Sequence, residues 1–476
     1  MEVLLVCHRY PPRHTAGTEV YAAQLARELR LRGHVVRVLT AEKDVARPDL
    51  TLHEREHEGV QVFEAINNLF HEEFQRTWSN PEIERLFARV LDRVRPDVVH
   101  VHHLMYLSAE CVEIARQRNI PVVMTLHDFW LQCPRFGQRV HVDGSLCATI
   151  DRARCGTCLA RFKDAQTPLQ RRAGRTIAAL RSATGLDFTA AARRVERLLG
   201  LSRGEPVGAD ERLAQQRAEE ATERDRAMRE RIVPAVSMFL SPSLFLLERF
   251  AEWGVPRERL RHVPTGIFAR RGEARGPARS GPLRFTYLGA LASHKGVHVL
   301  LEAWSLLDPQ LRARAQLDLW GPRSGEVEYI EGLERSAAAC GAALHAPLAH
   351  DAVLGELERS DLLVVPSVWF ENAPLVILEA LAARTPVLVS DLGGAAESVR
   401  EGETGFLFRV GDARDLARRL GELIADPAAL ARVAERAGEP TSFEETVDAT
   451  LAAYDEALGE GPRAPAPEPV ARGLGG

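Results

Sequence analysis

The chain has 476 residues, of which 45% are hydrophobic and 27% charged, with a formal net charge of -5. These values are ordinary for a globular protein with two substantial domains, and the charge gives no reason to expect nucleic acid. No stretch reaches the roughly 18 apolar residues of a membrane-spanning helix, and the amino terminus lacks the features of a signal peptide. We therefore expect a cytoplasmic protein whose cysteines are mostly reduced.

Strands and helices alternate along the first 130 or so residues, which predicts a parallel, doubly wound sheet. The predicted strands are Val3–Cys7, Val35–Thr40, Val60–Glu64, Asp97–His102 and Pro121–Leu126, and the predicted helices are Glu19–Arg32, Asn80–Val94 and Leu107–Arg118.

Residues 131–232 interrupt this alternation, because a cysteine-containing loop leads into a segment rich in Arg, Ala, Glu and Gln with helical periodicity. We interpret 131–232 as a mostly helical insertion in a first domain that spans 1–270, with the sheet resuming at Val233–Leu240. A second alternating domain is predicted over 283–440, starting with the strand Leu283–Leu288. A helix at 441–458 and a disordered tail at 459–476 complete the chain.

The most informative segment lies between two short apolar runs, Leu362–Val365 and Val387–Val389, which read as buried strands. A helix is predicted to open at Asn372, a favoured N-cap, after the first of them. A helix N-terminus at the carboxyl end of a buried strand binds anions, and acidic side chains there can bind hydroxyl groups. The segment therefore predicts a site for a phosphate-bearing ligand. Its predicted residues are Glu371, Asn372, Ala373, Pro374, Leu375, Glu379, Gly393 and Gly394.

Glu371 and Glu379 stand eight residues apart within PSVWFENAPLVILEAL. This pattern, placed between two buried strands, resembles the EX7E signature of glycosyltransferase family 4, and the resemblance covers most of the chain. It implies an α/β GT-B fold, in which two Rossmann-like doubly wound domains face each other across a cleft. The helix at 441–458 would return to the first domain.

The resemblance implies a retaining glycosyltransferase of polysaccharide or glycoconjugate biosynthesis, without a cofactor for catalysis. The second domain would bind a nucleotide-diphosphate sugar, and the first a saccharide or lipid-linked saccharide acceptor. Two alternatives stay open. One is another GT-B enzyme, such as a nucleotide-sugar epimerase, and the other is a non-catalytic nucleotide-sugar-binding protein.

Lys295 follows the glycine turn at Gly289, at the edge of the sheet that also carries the Glu371 segment. It resembles the family lysine that binds the diphosphate, where a cation stabilises the leaving group. The family has an arginine where this chain has Ala290, and Arg323 is a candidate substitute. By the same resemblance Glu371 would bind the donor sugar and Glu379 the ribose. A solvated surface lysine is the alternative for Lys295.

Two further residues come from the first domain. Gly17 lies in the loop after the first strand, where a glycine lets the backbone approach a donor closely, although a plain connecting turn is an alternative. His127 follows the strand Pro121–Leu126 and resembles the family histidine that contacts the donor sugar near the reaction centre. We expect His100, His102 and His103 to be structural or to lie on the acceptor side.

Four of the 7 cysteines lie close together in the sequence, with the spacing C-x13-C-x7-C-x2-C. This pattern favours a closed, structural zinc site with four thiolates, and free thiols or redox-active disulfides are the alternatives. The four residues are Cys133, Cys147, Cys155 and Cys158. The Arg-rich segment that follows, 160–232, is read as a solvated helical hairpin, with peripheral contact to the inner face of the membrane as the alternative.

Overall fold

The computed structural model describes residues 1–161, 172–174, 176–177, 184, 211–268, 281–436 and 440–459. The described chain forms two compact units. The first contains Met1–Ser241, Leu247–His262 and the residues from Val447 onward, and the second contains Pro242–Leu246 and Val263–Thr446. Most of the predicted insertion between 162 and 210, the linker 269–280 and the tail 460–476 lie outside the described residues.

The first unit is built on an eight-stranded sheet with the order β3-β4-β2-β1-β5-β6-β7-β8. Neighbouring strands are parallel except β3 and β4, which are antiparallel. This confirms the predicted parallel, doubly wound sheet. The strands are β1 (Glu2–Cys7), β2 (Val35–Glu42), β3 (Leu52–His57), β4 (Val60–Ile66), β5 (Val98–Val101), β6 (Val122–Thr125), β7 (Met238–Ser241) and β8 (Leu260–His262).

Two local features of this sheet differ from the predictions. The edge strand β3 was not predicted, because its sequence LHEREH is charged and only half-buried, as is common for edge strands that must not pair with other chains. The predicted strand Val233–Leu240 begins too early, since Val233–Ala235 continues a helix and extended structure resumes at Met238.

The helices of the first unit cover the sheet between its strands. Asn80, predicted as the first residue of a helix, is the N-cap of that helix, since its side chain accepts hydrogen bonds from the N–H groups of Glu82 and Ile83. The helices are Gly17–Leu31, Pro81–Val94, Cys111–Gln117, Arg152–Ala160, Glu211–Ala227 with a π-helical turn Met228–Ile232, and Leu244–Trp253, whose first residues group with the second unit.

Two of these helices represent the predicted insertion. Arg152–Ala160 packs so closely on Glu211–Ala227 that a Cβ atom added at Gly156 would lie 2.1 Å from the carbonyl oxygen of Ala214. Only a residue without a side chain fits this contact. The described part of the insertion is therefore a packed helical pair.

The second unit is built on a six-stranded sheet with the order β11-β10-β9-β12-β13-β14, and every neighbouring pair is parallel. Its strands are β9 (Leu283–Leu288), β10 (Ala315–Trp320), β11 (Ala343–His345), β12 (Leu362–Val365), β13 (Val387–Ser390) and β14 (Gly405–Phe408). Its helices are Val297–Leu306, Pro309–Arg312, Val327–Cys340, His350–Arg359, Leu375–Ala382, Gly393–Glu397, Ala413–Ala425 and Pro427–Arg436.

The final helix, Phe443–Leu458, begins in the second unit and continues in the first. Within the first unit the Tyr454 hydroxyl lies 2.6 Å from Nδ1 of His100, and Glu456 forms an ion pair with Arg261. Compared with the predicted bounds, residues 263–268 group with the second unit, where Ile267 bridges to Ser442. Across the described helices, none has the length and apolar character needed to cross a membrane.

Candidate functional site

The loops that follow β9 and β12 meet at the carboxyl edge of the second sheet, because these two strands are neighbours. The N–H of Val368 donates to the carbonyl of His294 at 3.0 Å. Gly296 has a φ of +70°, and a Cβ atom there would lie 1.8 Å from the carbonyl oxygen of Pro366. The turn that carries Lys295 is thus held against the loop that carries Glu371.

The centre of this edge is a contact between Lys295 and Glu371, whose Nζ and Oε1 atoms are 2.6 Å apart. The hydroxyl of Ser367 donates to the same carboxylate oxygen at 2.7 Å. The Lys295 ammonium also lies 4.9 Å from the ring centroid of Trp369. Lysine and glutamate, predicted separately as site residues, are therefore direct partners.

The Glu371 carboxyl is almost fully buried, with 8% of the residue exposed. Burial alone would raise its pKa, but the charge and hydrogen bond of Lys295 and the hydrogen bond from Ser367 outweigh it and hold the pKa below its ordinary value. The residue is therefore ionised at neutral pH, and its carboxylate can accept hydrogen bonds from ligand hydroxyl groups.

The glycine turn after β13 packs on the same loop. Gly393 has a φ of +65°, and the N–H of Gly394 donates to the carbonyl of Glu371 at 2.8 Å. A Cβ atom at Gly394 would lie 1.7 Å from the carbonyl oxygen of Asn372. These two glycines were predicted to lie at a ligand site. In the structure, the space beside them is occupied by the backbone of Glu371 and Asn372.

The predicted N-cap role of Asn372 is wrong. The helix begins at Leu375 after Pro374, with no side-chain cap, and ends at Ala382. The Asn372 side chain instead accepts a hydrogen bond from the hydroxyl of Ser243 at 2.6 Å. Asn372, Ala373 and Pro374 thus form the loop between Glu371 and the helix.

Glu379 lies on this helix, 4.0 Å from Nδ1 of His350. Burial raises its pKa, and the nearby His350 opposes the shift only in part. The pKa of Glu371 is therefore lowered and that of Glu379 is raised, although both glutamates belong to the same sequence motif.

The remaining predicted residues of the second unit lie in turns after β9 and β10. The N–H of Gly289 donates to the carbonyl of Trp320 at 3.0 Å, and the Tyr287 hydroxyl donates to the carbonyl of Ala290 at 2.7 Å. Arg323 is half-exposed and forms an ion pair with Glu334, with Nε and Oε1 2.9 Å apart. The structure therefore does not bring Arg323 to the Lys295–Glu371 contact.

Gly17 and His127 belong to the first unit. Gly17 is the first residue of the helix Gly17–Leu31, and a Cβ atom there would meet no atom within 4 Å. His127 Nε2 lies 3.2 Å from Nδ1 of His102. Burial, reinforced by His103, lowers the pKa of His127 to about 3, so this imidazole is neutral at physiological pH.

The four clustered cysteines lie in the segment 133–158 of the first unit, and all are free thiols. Cys155 and Cys158 lie on the helix Arg152–Ala160, and Cys158 Sγ is 3.4 Å from Nδ1 of His141. Cys133 and Cys147 lie in the preceding loop. As placed in the described part of the chain, no three His, Cys, Asp or Glu side chains converge to hold a metal ion.

Sequence reasoning missed two residues that contact this centre, Ser367 and Trp369. Both stand inside the motif that carried the resemblance, but neither was predicted as a site residue. A hydroxyl four residues before a buried glutamate, in the loop after a strand, was the available signal.

Two family models match the chain. The model described as Glycosyltransferase Family 4 matches residues 15–180, and the model described as Glycosyl transferases group 1 matches residues 272–439. Together they cover more than half of the 476 residues.

Among curated relatives, the chain is 35% identical over 179 residues to the D-inositol 3-phosphate glycosyltransferase of Rhodococcus jostii. This match covers 36% of the chain and 39% of the relative, so the chain spans about two fifths of that relative's length.

Two solved structures show the fold. Sucrose-phosphate synthase from Thermosynechococcus elongatus aligns with a TM-score of 0.62 and 18% identity, covering 97% of this chain and 100% of the other. Anabaena HepE in complex with UDP-glucose aligns with a TM-score of 0.57 and 15% identity, covering 95% and 99%. The chain therefore has the predicted GT-B fold.

Replacing Lys295 with Met should destabilise the protein in a pH-dependent way. In the wild type the folded pKa of Glu371 is depressed, so its stabilising contribution is present above the unfolded pKa and is lost as pH falls through the folded pKa. Without the cation, burial raises that pKa. We expect the variant to lose about 2 kcal/mol of unfolding free energy at neutral pH, and the difference should shrink below a pH of about 4.

Urea denaturation at a series of pH values measures this difference. Arg323→Met is the matched control, because it breaks the exposed pair with Glu334 and should cost no more than about 0.5 kcal/mol at any pH. A Lys295→Met loss that is the same at every pH would contradict the assigned coupling.

Proposed function

The chain belongs to glycosyltransferase family 4, and we propose that it transfers a sugar from a nucleotide-diphosphate sugar to an acceptor in glycan biosynthesis. The observation that carries this proposal is the 2.6 Å contact between Lys295 and Glu371 at the carboxyl edge of the second sheet. This contact supports the proposal, because an ammonium group is suited to a diphosphate and a carboxylate to sugar hydroxyls.

Each of these residues has a part in the proposed reaction. Lys295 stabilises the charge that develops on the leaving diphosphate, Glu371 accepts hydrogen bonds from hydroxyls of the donor sugar, and Glu379 binds the ribose. The family resemblance also assigns donor contacts to His127, which is a neutral imidazole, and to Gly17, which is the first residue of a helix. The UDP-glucose in the HepE structure supports a donor of this class.

The proposed transfer retains the anomeric configuration. The bond between the anomeric carbon and the diphosphate oxygen breaks, and the acceptor oxygen forms its bond on the same face. The acceptor proton passes to the departing diphosphate. No divalent metal is required by this scheme, because Lys295 supplies the cation at the leaving group. The acceptor would be a saccharide or lipid-linked saccharide, and a place at the inner face of the membrane stays a prediction.

One observation favours a second candidate function, a non-catalytic nucleotide-sugar-binding protein. Ala290 stands where the resemblance places an arginine, and Arg323 is engaged by Glu334. Lys295 is left as the cation that contacts Glu371, so the diphosphate would receive less stabilisation. Turnover, rather than donor binding, separates the two candidates.

We further propose that Cys133, Cys147, Cys155 and Cys158 hold a structural zinc ion. Four thiolates suit zinc, and binding would draw the thiols toward a common point. The metal would crosslink the loop after β6 to the helix Arg152–Ala160.

Two buried guanidinium groups near these cysteines support a negatively charged zinc–thiolate centre. Arg139 and Arg224 are only 4% and 2% exposed. Their hydrogen bonds go to backbone carbonyls and to the amide oxygen of Gln132. A buried cation bonded only to neutral oxygens is costly, and a zinc centre with four thiolates carries two negative charges that would offset it.

A thermal-shift panel of UDP-, GDP-, ADP- and TDP-sugars tests donor binding. One nucleotide class should stabilise the wild type in proportion to RT ln(1 + [L]/Kd), and Lys295→Ala should abolish most of that shift. Arg323→Ala should retain it, because Arg323 pairs with Glu334 away from Lys295. Equal shifts in wild type and Lys295→Ala would refute the assigned diphosphate contact.

Glu371→Gln tests catalysis. The amide keeps the size of the side chain but loses the charge that faces Lys295, so turnover of the bound donor should fall at least about a hundredfold, as for other lost electrostatic contacts in active sites. Release of nucleotide diphosphate, measured with an acceptor extract, gives the rate, and circular dichroism verifies the fold. Turnover at the wild-type rate in the variant would refute the proposed role of Glu371. Donor binding without turnover in the wild type would favour the non-catalytic candidate.

Metal analysis tests the zinc proposal. Protein purified without added zinc should contain about one zinc per chain, and a Cys155→Ser/Cys158→Ser variant should contain none and melt at a lower temperature. Cys340→Ser is the control, because this buried cysteine lies in the second unit and should leave the zinc content unchanged. A wild type without zinc would exclude the site.

A further inference from the structure

The start of the helix Leu244–Trp253 packs on the loop that carries Glu371. Its first residues group with the second unit, as do this loop and the glycine turn after β13. The Phe245 ring centroid lies 5.3 Å from that of Phe370, the residue before Glu371. A Cβ atom added at Gly393 would lie 3.5 Å from Cε1 of Phe245, which is ordinary van der Waals contact. The helix start, the Glu371 loop and the glycine turn therefore form one packed cluster.

Two side chains bind the first N–H groups of this helix. One oxygen of the Glu397 carboxylate accepts the N–H of Leu244, and the other accepts the N–H of Phe245, each at 2.8 Å. The Ser243 hydroxyl oxygen accepts the N–H of Leu246 at 3.2 Å. Because the first N–H groups of a helix have no partner within it, these side chains satisfy the helix start from outside.

Glu397 is not a local cap. It binds the N–H of Leu244 across 153 positions of the sequence, and it is the last residue of the short helix Gly393–Glu397. The second residue of that helix, Gly394, donates its N–H to the carbonyl of Glu371 at 2.8 Å. The carboxylate that holds the helix start thus belongs to the same short segment that holds the backbone of Glu371.

Ser243 binds the next residue of the loop. Its hydroxyl donates to Oδ1 of Asn372 at 2.6 Å, while its oxygen caps the helix. Ser243 is only 3% exposed, so this hydrogen bond is shielded from water. Together with Glu397 and Gly394, these contacts close a ring that starts and ends at the helix start. The ring passes through the peptide that joins Glu371 to Asn372.

The loop depends on such contacts because it has no regular secondary structure. Residues 366–374 lie outside any helix or strand. The contacts of Glu371 with Lys295 and Ser367 hold its side chain and not its backbone. The position of the carboxylate therefore follows the position of the loop. A displacement of about 1 Å is enough to weaken the directional hydrogen bonds on which an active site relies.

We propose that Glu397 and Ser243 are positioning residues for Glu371. Glu397 fixes the glycine turn that binds the Glu371 carbonyl, and Ser243 fixes the side chain of Asn372. The carboxylate that accepts hydrogen bonds from the donor sugar is thereby kept in place, whereas Lys295 reaches the diphosphate from a different loop. This role rests on the proposed function and extends sugar recognition to two residues that bind no ligand themselves.

Hydrogen exchange of the full chain, followed by mass spectrometry, tests the positioning without a ligand. Glu397→Gln leaves one acceptor oxygen for two N–H groups, and Ser243→Ala removes the hydroxyl. Each should accelerate exchange in peptides that contain Gly394 by about tenfold, because the bond to the Glu371 carbonyl opens more often. Peptides from the strand β13 should keep their wild-type rates, which shows that global unfolding is not the cause.

Asp308→Ala is the matched control. Asp308 also caps a helix of the second unit, since its carboxylate accepts the N–H groups of Gln310 and Leu311, but this helix precedes β10. Its loss should change exchange at Gly394 by less than about twofold, because the effect of a lost cap stays local.

Donor binding tests the same role within the site. Calorimetry compares a nucleotide sugar from the panel with its bare nucleoside diphosphate. Glu397→Gln and Ser243→Ala should each weaken binding of the nucleotide sugar about tenfold and that of the diphosphate less than about twofold, because Glu371 binds only the sugar. The double variant should bind the nucleotide sugar little more weakly than either single variant, because both substitutions release the same loop.

Two results would overturn the positioning role. One is faster exchange confined to the helix Leu244–Trp253, which would make Glu397 and Ser243 simple caps. The other is a nucleotide-sugar affinity that falls no more than the diphosphate affinity. If the wild type binds no nucleotide sugar, the proposed transfer fails. The exchange rates at Gly394 still decide whether the two residues hold the loop of Glu371.

Discussion

The carboxylate of Glu371 is the group on which the edge of the second sheet depends. A buried charge is tolerated only where partners surround it, and here the partners come from separate loops. Lys295 reaches it from the turn after β9, Ser367 from the loop after β12, and the N–H of Gly394 binds its backbone carbonyl from the turn after β13. The loops that follow three neighbouring strands thus meet at Glu371. The glycines of these turns are required because no side chain fits at the points where the backbones meet.

Much of this arrangement could be predicted from the sequence, because parallel strands place their carboxyl ends at one edge. Leu283–Leu288 and Leu362–Val365 are apolar runs of strand length, so Lys295 and Glu371, which follow them, were expected at the same edge. The partners that distant segments contribute could not be predicted in the same way. Asn372 has the local preference of an N-cap, yet Ser243, distant in sequence, binds its side chain. A tertiary contact here overrides a local propensity.

In the first unit, other features could not be predicted from the sequence. Its buried strands follow from their apolar patterns, whereas β3 does not, because LHEREH has the composition of an exposed loop. The left-handed backbone conformations of Tyr106 and Phe136, with φ angles of +66° and +50°, also lie outside what the sequence predicts. A tyrosine or phenylalanine is a poor candidate for that conformation, so no sequence pattern indicates it. His100, His102 and His127 were noticed at strand ends, but the burial that lowers their pKa values is visible only in the structure.

The two units therefore differ in the electrostatics that they offer to ligands. The second unit presents an ammonium group beside an ionised carboxylate, which suits a diphosphate joined to a sugar. The first presents imidazoles that burial keeps neutral, at His8 and His127. Neither side chain therefore adds a positive charge that would attract an anionic ligand to the first unit.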